Sequence, residues 1–351
     1  MESSAIKGRG AEFNPINRFD LLYTEPDPEW DPSQNRPPKT EVYRDTTKQI
    51  INYNDSPDVG FSASVNPYRG CEHGCIYCYA RPGHEYFGLS SGVDFESKIF
   101  VKETAPELLR KELAKKSWQP QVIAMSGVTD PYQPVERKLG ITRRCLEVLL
   151  DFRNPVAIIT KNHLVTRDID ILEQLDNFQC ITVNISITSL DRSLARVMEP
   201  RASTPADRLK AVEELSKRGI PVNVMVAPII PALTDEEIPH ILKTVASAGA
   251  LSAAFTIVRL PYANKDLFIR WLESHFPERK EKILNRIRSM RGGKLYDATF
   301  GKRMRAEGFF AEQIKQLFEV ICRKYGLNQK RWSLSTAFFQ NPNEQKQYML
   351  F

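Results

Sequence analysis

Between residues 121 and 260, short apolar runs take turns with longer stretches of helical periodicity. The runs at 121–126, 156–160, 181–187, 221–230 and 253–260 predict strands. The stretches at 142–152, 168–175, 204–218 and 235–248 predict helices. The first of these is expected to be capped by Thr142; the third carries Pro205 in its first turn and stops at Gly219. Upstream, 61–65 alternates apolar and small residues and predicts a sixth strand, 94–102 reads as extended, and 105–116 carries Leu108, Leu109 and Leu113 at helical spacing. Strands alternating with helices of these lengths need βαβ crossovers, hence a parallel sheet and an α/β fold. After Pro261 the strand rhythm stops: 265–275, 279–289 and 308–324 predict helices, broken at Arg291-Gly292-Gly293.

Residues 1–57 do not share the pattern. Proline recurs at Glu25-Pro26-Asp27-Pro28, Asp31-Pro32 and Arg36-Pro37-Pro38-Lys39, leaving little scope for a helix or a continuous strand. Phe13, Phe19, Leu21, Tyr23 and Trp30 are apolar anchors foreign to a purely disordered leader, so the arm is expected to pack over the main domain for part of its length. The expected organisation is an extended arm at 1–57, a main domain at 58–262 and a helical, basic extension at 263–351 that caps the open side of the main domain. The chain is 42% hydrophobic and 26% charged, enough apolar material for a sizeable core. No apolar run reaches the ~18 residues of a membrane helix, and the N-terminus has no signal-peptide core, so a cytoplasmic protein away from membranes is expected.

Charge matters more by place than by total. The net +6 is mild, but residues 270–305 hold eleven Lys/Arg against four acids, so this segment alone carries +7. Such a segment forms a solvated helical surface or meets phosphates, which makes DNA or RNA a candidate partner. Its dense part, 280–291, has no interleaved aromatic, which counts against a dedicated binding module. Lys7-Gly8-Arg9-Gly10 is a second candidate phosphate contact.

Candidate chemistry concentrates in Asn66-Pro67-Tyr68-Arg69-Gly70-Cys71-Glu72-His73-Gly74-Cys75-Ile76-Tyr77-Cys78-Tyr79. Three of the six cysteines lie within eight residues at C-x3-C-x2-C spacing, suited to one soft metal centre. Structural zinc wants a fourth Cys or His, which His73 or His84 could supply. An iron–sulfur cube has four irons, so three cysteines would leave one open to a non-protein ligand. Gly70 and Gly74 suit a loop that must wrap such a centre. Cys145, Cys180 and Cys322 are scattered singly, which speaks against a second cluster and against a disulfide scaffold. Parallel α/β folds bind ligands at the carboxyl ends of their strands, and here those ends are small or polar. They carry Ser126, Gly127, Thr129 and Asp130, then Lys161, then Asn184, Ser186 and Thr188 on one face, with Arg201, Val226 and Pro228 beyond.

Cys71-x3-Cys75-x2-Cys78, with Tyr77 before the last cysteine, resembles the signature of the radical S-adenosylmethionine superfamily. The wider run 71–230 resembles its spore photoproduct lyase-like branch, through Asn66-Pro67-Tyr68-Arg69-Gly70-Cys71, Thr129-Asp130-Pro131-Tyr132-Gln133-Pro134, Leu139-x2-Thr142-Arg143 and Ile159-Thr160-Lys161. It resembles more closely still the uncharacterised DNA repair photolyase-like relatives that share Lys7-Gly8-Arg9-Gly10-Ala11 and Cys78-Tyr79-Ala80-Arg81-Pro82-x-His84-Glu85-Tyr86. The resemblance implies a partial (β/α)6 TIM-type barrel and a [4Fe-4S] cluster on Cys71, Cys75 and Cys78 with S-adenosyl-L-methionine on the open iron. It implies reductive cleavage to methionine and a 5′-deoxyadenosyl radical that abstracts hydrogen from a substrate, fed by an external one-electron reductant of flavodoxin or ferredoxin type. By the same resemblance Ser126, Gly127, Thr129 and Asp130 would meet the cofactor's amino group, Lys161 its carboxylate, and Asn184, Ser186 and Thr188 its ribose. Arg201 would clamp carboxylate or ribose, Val226 and Pro228 would wall the adenine, and Tyr77 would tune the cluster. One departure is visible: the lyase draws a hydrogen-donating cysteine from the loop after the cluster, and the candidate here, Cys145, falls in the 142–152 helix. A lyase-like nucleic-acid substrate, radical modification of a protein or small metabolite, and a non-enzymatic zinc or iron–sulfur nucleic-acid-binding module all remain open at this stage.

Overall fold

A computed structural model describes residues 6–20, 38–304, 306–329 and 332–342, so Leu21, Tyr23, Trp30 and Arg305 lie outside the described residues. Its strands are β1 (Glu41–Arg44), β2 (Ile51–Tyr53), β3 (Ala63–Val65), β4 (Tyr68–Arg69), β5 (Lys98–Val101), β6 (Ile123–Met125), β7 (Val156–Thr160), β8 (Ile181–Ser186), β9 (Val222–Ile229) and β10 (Ser252–Ile257). The main sheet runs β10-β9-β8-β7-β6-β3-β2. From β3 to β10 all neighbours are parallel, and β2 adds an antiparallel edge. These are the six strands expected from the sequence, arranged as an open, partial (β/α)6 barrel.

The helices are α1 (Val93–Ser97), α2 (Ala105–Leu113), α3 (Glu136–Leu139), α4 (Ile141–Phe152), α5 (Ile169–Asp176), α6 (Arg192–Met198), α7 (Pro205–Lys217), α8 (Ile238–Ser247), α9 (Asn264–His275), α10 (Lys280–Ser289) and α11 (Phe309–Lys324). Strand register explains the two faces of the barrel wall. Ala63, Val65, Ile123, Val156, Ile158, Ile181, Val183, Val222, Val224 and Val226 are buried together in the main core, with Leu146, Leu149, Leu172 and Leu215 from the surrounding helices. The alternate positions are matched across the sheet as Ser64–Ala124–Ala157–Thr182 and Asn184–Asn223–Ser252. A row of small and polar residues therefore lines the concave face, since a strand sends successive side chains to opposite sides.

Several local expectations change. Thr142 is not a cap: α4 begins after Gly140, whose φ of 63° makes the turn, and the Thr142 hydroxyl donates to Pro131 O at 2.6 Å. Residues 94–102 are not one extended stretch, because α1 precedes β5. The 1–57 arm does contain strand: β1 pairs with β5 in a second sheet of order β1-β5-β4, and β2 edges the main sheet. Described parts of the arm are held by polar contacts and by one of the expected aromatics, Phe19, whose ring centre lies 5.0 Å from that of Tyr86. Asn14 pairs with Asp94, and Asn17 donates to Glu85 O at 2.8 Å, while Phe13 and Phe19 stay exposed. Of the C-terminal helices, α9 and α10 form a second core with Ile76, Tyr77 and Leu260, and α11 joins the main core through Ile314, Phe318 and Cys322, with Phe318 tilted against Phe255 at 4.7 Å.

Candidate functional site

The cysteine loop lies at the carboxyl end of the barrel, between β4 and the 3-10 helix Arg81–Phe87. Gly70 (φ 75°) and Gly74 (φ 65°) both take left-handed backbone, as the sequence suggested for a wrapping loop. Cys71 and Cys75 are buried and Cys78 half-buried, with no disulfide among them. Burial pushes all three thiols above their ordinary range, and at Cys71 nearby Asp130, Cys75 and Cys78 add to the effect. The three sulfurs thus sit close enough to repel one another as thiolates, and a cationic metal centre would relieve that repulsion.

Arg81 holds the loop from behind. Fully buried, it donates through Nε to Cys75 O, through NH1 to Ser91 O and Gly92 O, and through NH2 to Gly74 O and the Glu96 carboxylate. Glu96 in turn accepts from Gly10 N at 2.9 Å and Ala11 N at 2.8 Å. The Lys7–Gly10 run, a candidate phosphate contact by sequence, is therefore partly spent inside: Arg9 donates to Glu96 O and Pro38 O. At Gly10 a Cβ would fall 1.8 Å from Gly74 O, so only glycine fits there.

The loop after β6 is sewn to the cysteine loop. Buried Gln133 accepts from Glu72 N at 2.9 Å and donates to Gly70 O at 3.1 Å. Asn66 Oδ1 accepts from Val128 N and Thr129 N, and the Thr129 hydroxyl donates to Tyr68 O. Ser126 Oγ donates to Thr129 O. Ser126 (φ 150°) and Gly127 (φ 108°) carry unusual backbone, a mark of loops shaped by more than local preference. Asp130 joins three elements: it accepts from Thr160 Oγ1 and Lys161 N, each at 2.7 Å, and lies 3.3 Å from His73 Nδ1. Burial alone would raise its pKa, but His73 and these hydrogen bonds hold it below the usual aspartate range.

Beside the cysteines stands a buried ionic knot that sequence reasoning missed. Glu199 accepts from Tyr77 OH, from Thr188 Oγ1 at 2.9 Å and from the buried Arg208 guanidinium, with Lys161 Nζ 3.4 Å away. Burial works against its charge, yet Arg208 and Lys161 keep it well below the usual carboxylate range. Lys161 Nζ also reaches Ala227 O at 3.2 Å and the face of Tyr77. A signal existed: Arg208 occupies the apolar stripe of α7, with Pro205, Ala211, Val212 and Leu215, and an arginine there needs a buried acid.

The structure gathers Tyr77, Lys161 and Thr188 around this knot and places Asn184 and Ser186 on the concave face of β8. Asn184 Nδ2 donates to Ile158 O at 2.9 Å. Two candidates, Cys145 and Val226, fall elsewhere. Cys145 is wholly buried in the main core on α4, away from the concave face. Val226 faces the same core, because strand alternation sends Met225 and Ala227 inward instead; Pro228 is half-buried near the end of β9. Arg201 pairs with Glu72 Oε1 at 2.9 Å and reaches Thr40 Oγ1 at 2.9 Å, bracing the cysteine loop.

Zinc completed by a histidine finds no support. The His73 ring nitrogens face Asp130 and Asn162, and His84 Nε2 lies 3.0 Å from Lys98 O in a nest of phenylalanines. Among the described residues no three His, Cys, Asp or Glu side chains gather around a single ion position. A cube places each cysteine on a different iron and does not require that convergence. Nor is any helix among the described residues long and apolar enough to cross a membrane.

Comparison with known proteins agrees. The Radical SAM superfamily matches residues 65–245. An uncharacterised protein of Mycobacterium tuberculosis is 34% identical over 220 residues, 62% of this chain and 65% of its own length, so the chain spans under two thirds of that relative. An uncharacterised protein of Methanocaldococcus jannaschii is 29% identical over 71% of this chain and 88% of its own. A radical SAM Nalpha-GlyT isomerase of Pseudomonas phage M6 is 26% identical over 62% of this chain and 45% of its own. Among solved structures, a spore photoproduct lyase variant with bound AdoMet and dinucleoside spore photoproduct shares the fold at TM-score 0.58 and 18% identity, covering 82% of this chain and 80% of that one. By sequence and by fold, the chain belongs to the radical S-adenosylmethionine superfamily, whose cofactors are a [4Fe-4S] cluster and S-adenosylmethionine.

Proposed function

We propose that Cys71, Cys75 and Cys78 hold the cluster and that the concave face beside them holds S-adenosylmethionine, making the chain a radical enzyme. The observation that carries this reading is the buried three-thiol loop, tied down by Arg81 and Gln133 at the carboxyl ends of the parallel strands. When bound, the two cofactors supply a 5′-deoxyadenosyl radical able to abstract hydrogen from a substrate, after one electron from a flavodoxin or ferredoxin type donor. The protein's part is to bind, orient and exclude water. The Ser126–Gly127 turn presents backbone and little side chain at the end of β6, where a cofactor's amino group is met. Lys161 Nζ, part-exposed at the end of β7, acts on the Cys75 and Cys78 thiols and is shared with Glu199. The Asn184–Ser186 face offers hydroxyl and amide groups to a ribose. A nucleic acid or nucleotide is the favoured substrate class.

The test is anaerobic reconstitution with iron and sulfide, followed by dithionite and S-adenosylmethionine. The expected result is three to four irons per chain, on the order of one cube, and 5′-deoxyadenosine in the product. Cys75→Ala is expected to lose the cluster; full iron retention in that variant would remove the ligand assignment.

A further inference from the structure

Beyond β10, the barrel rim carries more positive charge than the protein itself neutralises. Arg259, two residues past the end of β10, is half-buried, and among the described residues its guanidinium makes no hydrogen bond and no ion pair. Its one contact of note is the face of Tyr79, 4.5 Å away. The charges around it are mostly of its own sign. Arg303 acts on it directly, and it acts on Arg291 in turn. The acid in reach, Asp58, is already taken by Gly301 N at 2.7 Å and Arg303 Nε at 2.5 Å. Arg291 is buried, spends its terminal nitrogens on Val258 O, Ile257 O and Arg303 O, and has an Nε with no partner. A half-buried cation with like charges beside it is costly unless an anion joins it.

The same rim exposes aromatic rings. Tyr79, immediately after Cys78, is 49% exposed and is fixed by its hydroxyl donating to Gly127 O at 2.5 Å. Tyr262 is 58% exposed, in the turn whose Asn264 Nδ2 donates to Cys78 O at 2.7 Å. Phe300 is 58% exposed, with the Arg303 guanidinium 4.3 Å from its ring centre. Guanidinium groups interleaved with exposed rings form a surface on which a phosphate meets charge while a base stacks.

We propose that Arg259, with Tyr79 beside it, is the phosphate-binding element of a nucleotide subsite at the barrel mouth, which places a phosphate-bearing nucleotide next to the cysteine loop. This rests on the radical-enzyme reading for its purpose but not for its existence. Part of the basic stretch at 270–305 is already committed within the fold: Arg279 is turned onto Ala232 O, Lys280 pairs with Glu273, Arg291 donates to Val258 O and Arg303 pairs with Asp58.

The experiment titrates the full-length chain with a short fluorescein-labelled single-stranded oligothymidylate and reads anisotropy, with thymidine 5′-monophosphate and thymidine as competitors. Arg259→Gln is expected to weaken binding of both phosphate-bearing ligands about tenfold and to lower the salt dependence by about one charge. Arg259→Lys, which keeps the charge but not the flat stack, is expected to fall between parent and Gln. Lys282→Gln, the same charge lost from α10, is expected to bind as the parent does. Competition by the monophosphate at concentrations similar to the oligonucleotide's identifies a free nucleotide; competition only by the strand identifies a polynucleotide; both uphold the subsite. Unchanged affinity in Arg259→Gln, or thymidine competing as well as its monophosphate, overturns it. Iron content and 5′-deoxyadenosine are read separately, so failure of the radical chemistry with intact Arg259-dependent binding counts against the enzyme reading alone.

Discussion

His84 shows how completely surroundings decide what a side chain does. By sequence it was a candidate metal ligand six residues past the last clustered cysteine. In the fold its ring meets Phe95 edge-on at 5.5 Å, lies near Phe87 and Phe100, and keeps Nε2 3.0 Å from Lys98 O. Burial pushes its pKa down from 6.5 to about 4. A histidine that stays neutral in the fold but charges when unfolded stabilises the protein fully above pH 6.5. That contribution drains away as pH falls toward about 4, for a total of about 3 kcal/mol. Urea unfolding of the parent between pH 7 and 4 should show that loss, and His84→Phe should flatten it; an unchanged slope in the variant would mean another group is responsible. What was legible at this scale followed from covalent spacing: the three cysteines and the two left-handed glycines are local features. Glu199, Arg208, Arg81 and Glu96 escaped because a buried charge is recognised by its partner, and their partners lie 15 or 9 residues away with nothing in between to mark the pairing.

At the scale of elements, the parallel strands were readable because their outward faces are runs of Val and Ile packed under helices. β1 and β2 were not: they are three or four residues long, largely exposed, and form only by pairing with β5 and β3. The Thr142 cap failed for a related reason. Thr142 N goes to Glu136 Oε2, inside a network in which Glu136 also serves Tyr68 OH and Arg167. The loop after β6 works as an element too, because Gln133 bridges Gly70 O and Glu72 N across to the cysteine loop. Gln133→Leu removes both bonds and leaves a buried carbonyl and amide unmet. The expected cost is about 2–4 kcal/mol in urea unfolding, with a lower iron content after reconstitution. A variant as stable as the parent would show that water takes over both groups.

For the whole molecule, the arm at the N-terminus is part of the cysteine site rather than a loose leader. Gly10 and Ala11 donate to Glu96, Arg9 reaches Glu96 O and Pro38 O, and Glu12 meets Ser274 on α9 at 2.9 Å. Four consecutive residues thereby join α1, the cysteine loop and α9. The main sheet does not depend on them, since its outward face packs against its own helices. A chain lacking residues 1–12 should therefore keep its far-ultraviolet circular dichroism but bind the cluster roughly tenfold more weakly, the usual cost of losing groups that hold ligands in place. Gly10→Val provides the same test without a truncation, because any Cβ there would fall 1.8 Å from Gly74 O and must push the arm off the loop. Iron and sulfide per chain after reconstitution and desalting measure both. If each variant retains iron as the parent does, the arm only covers the loop. If both lose it while the circular dichroism holds, the arm sets the shape that the three cysteines need.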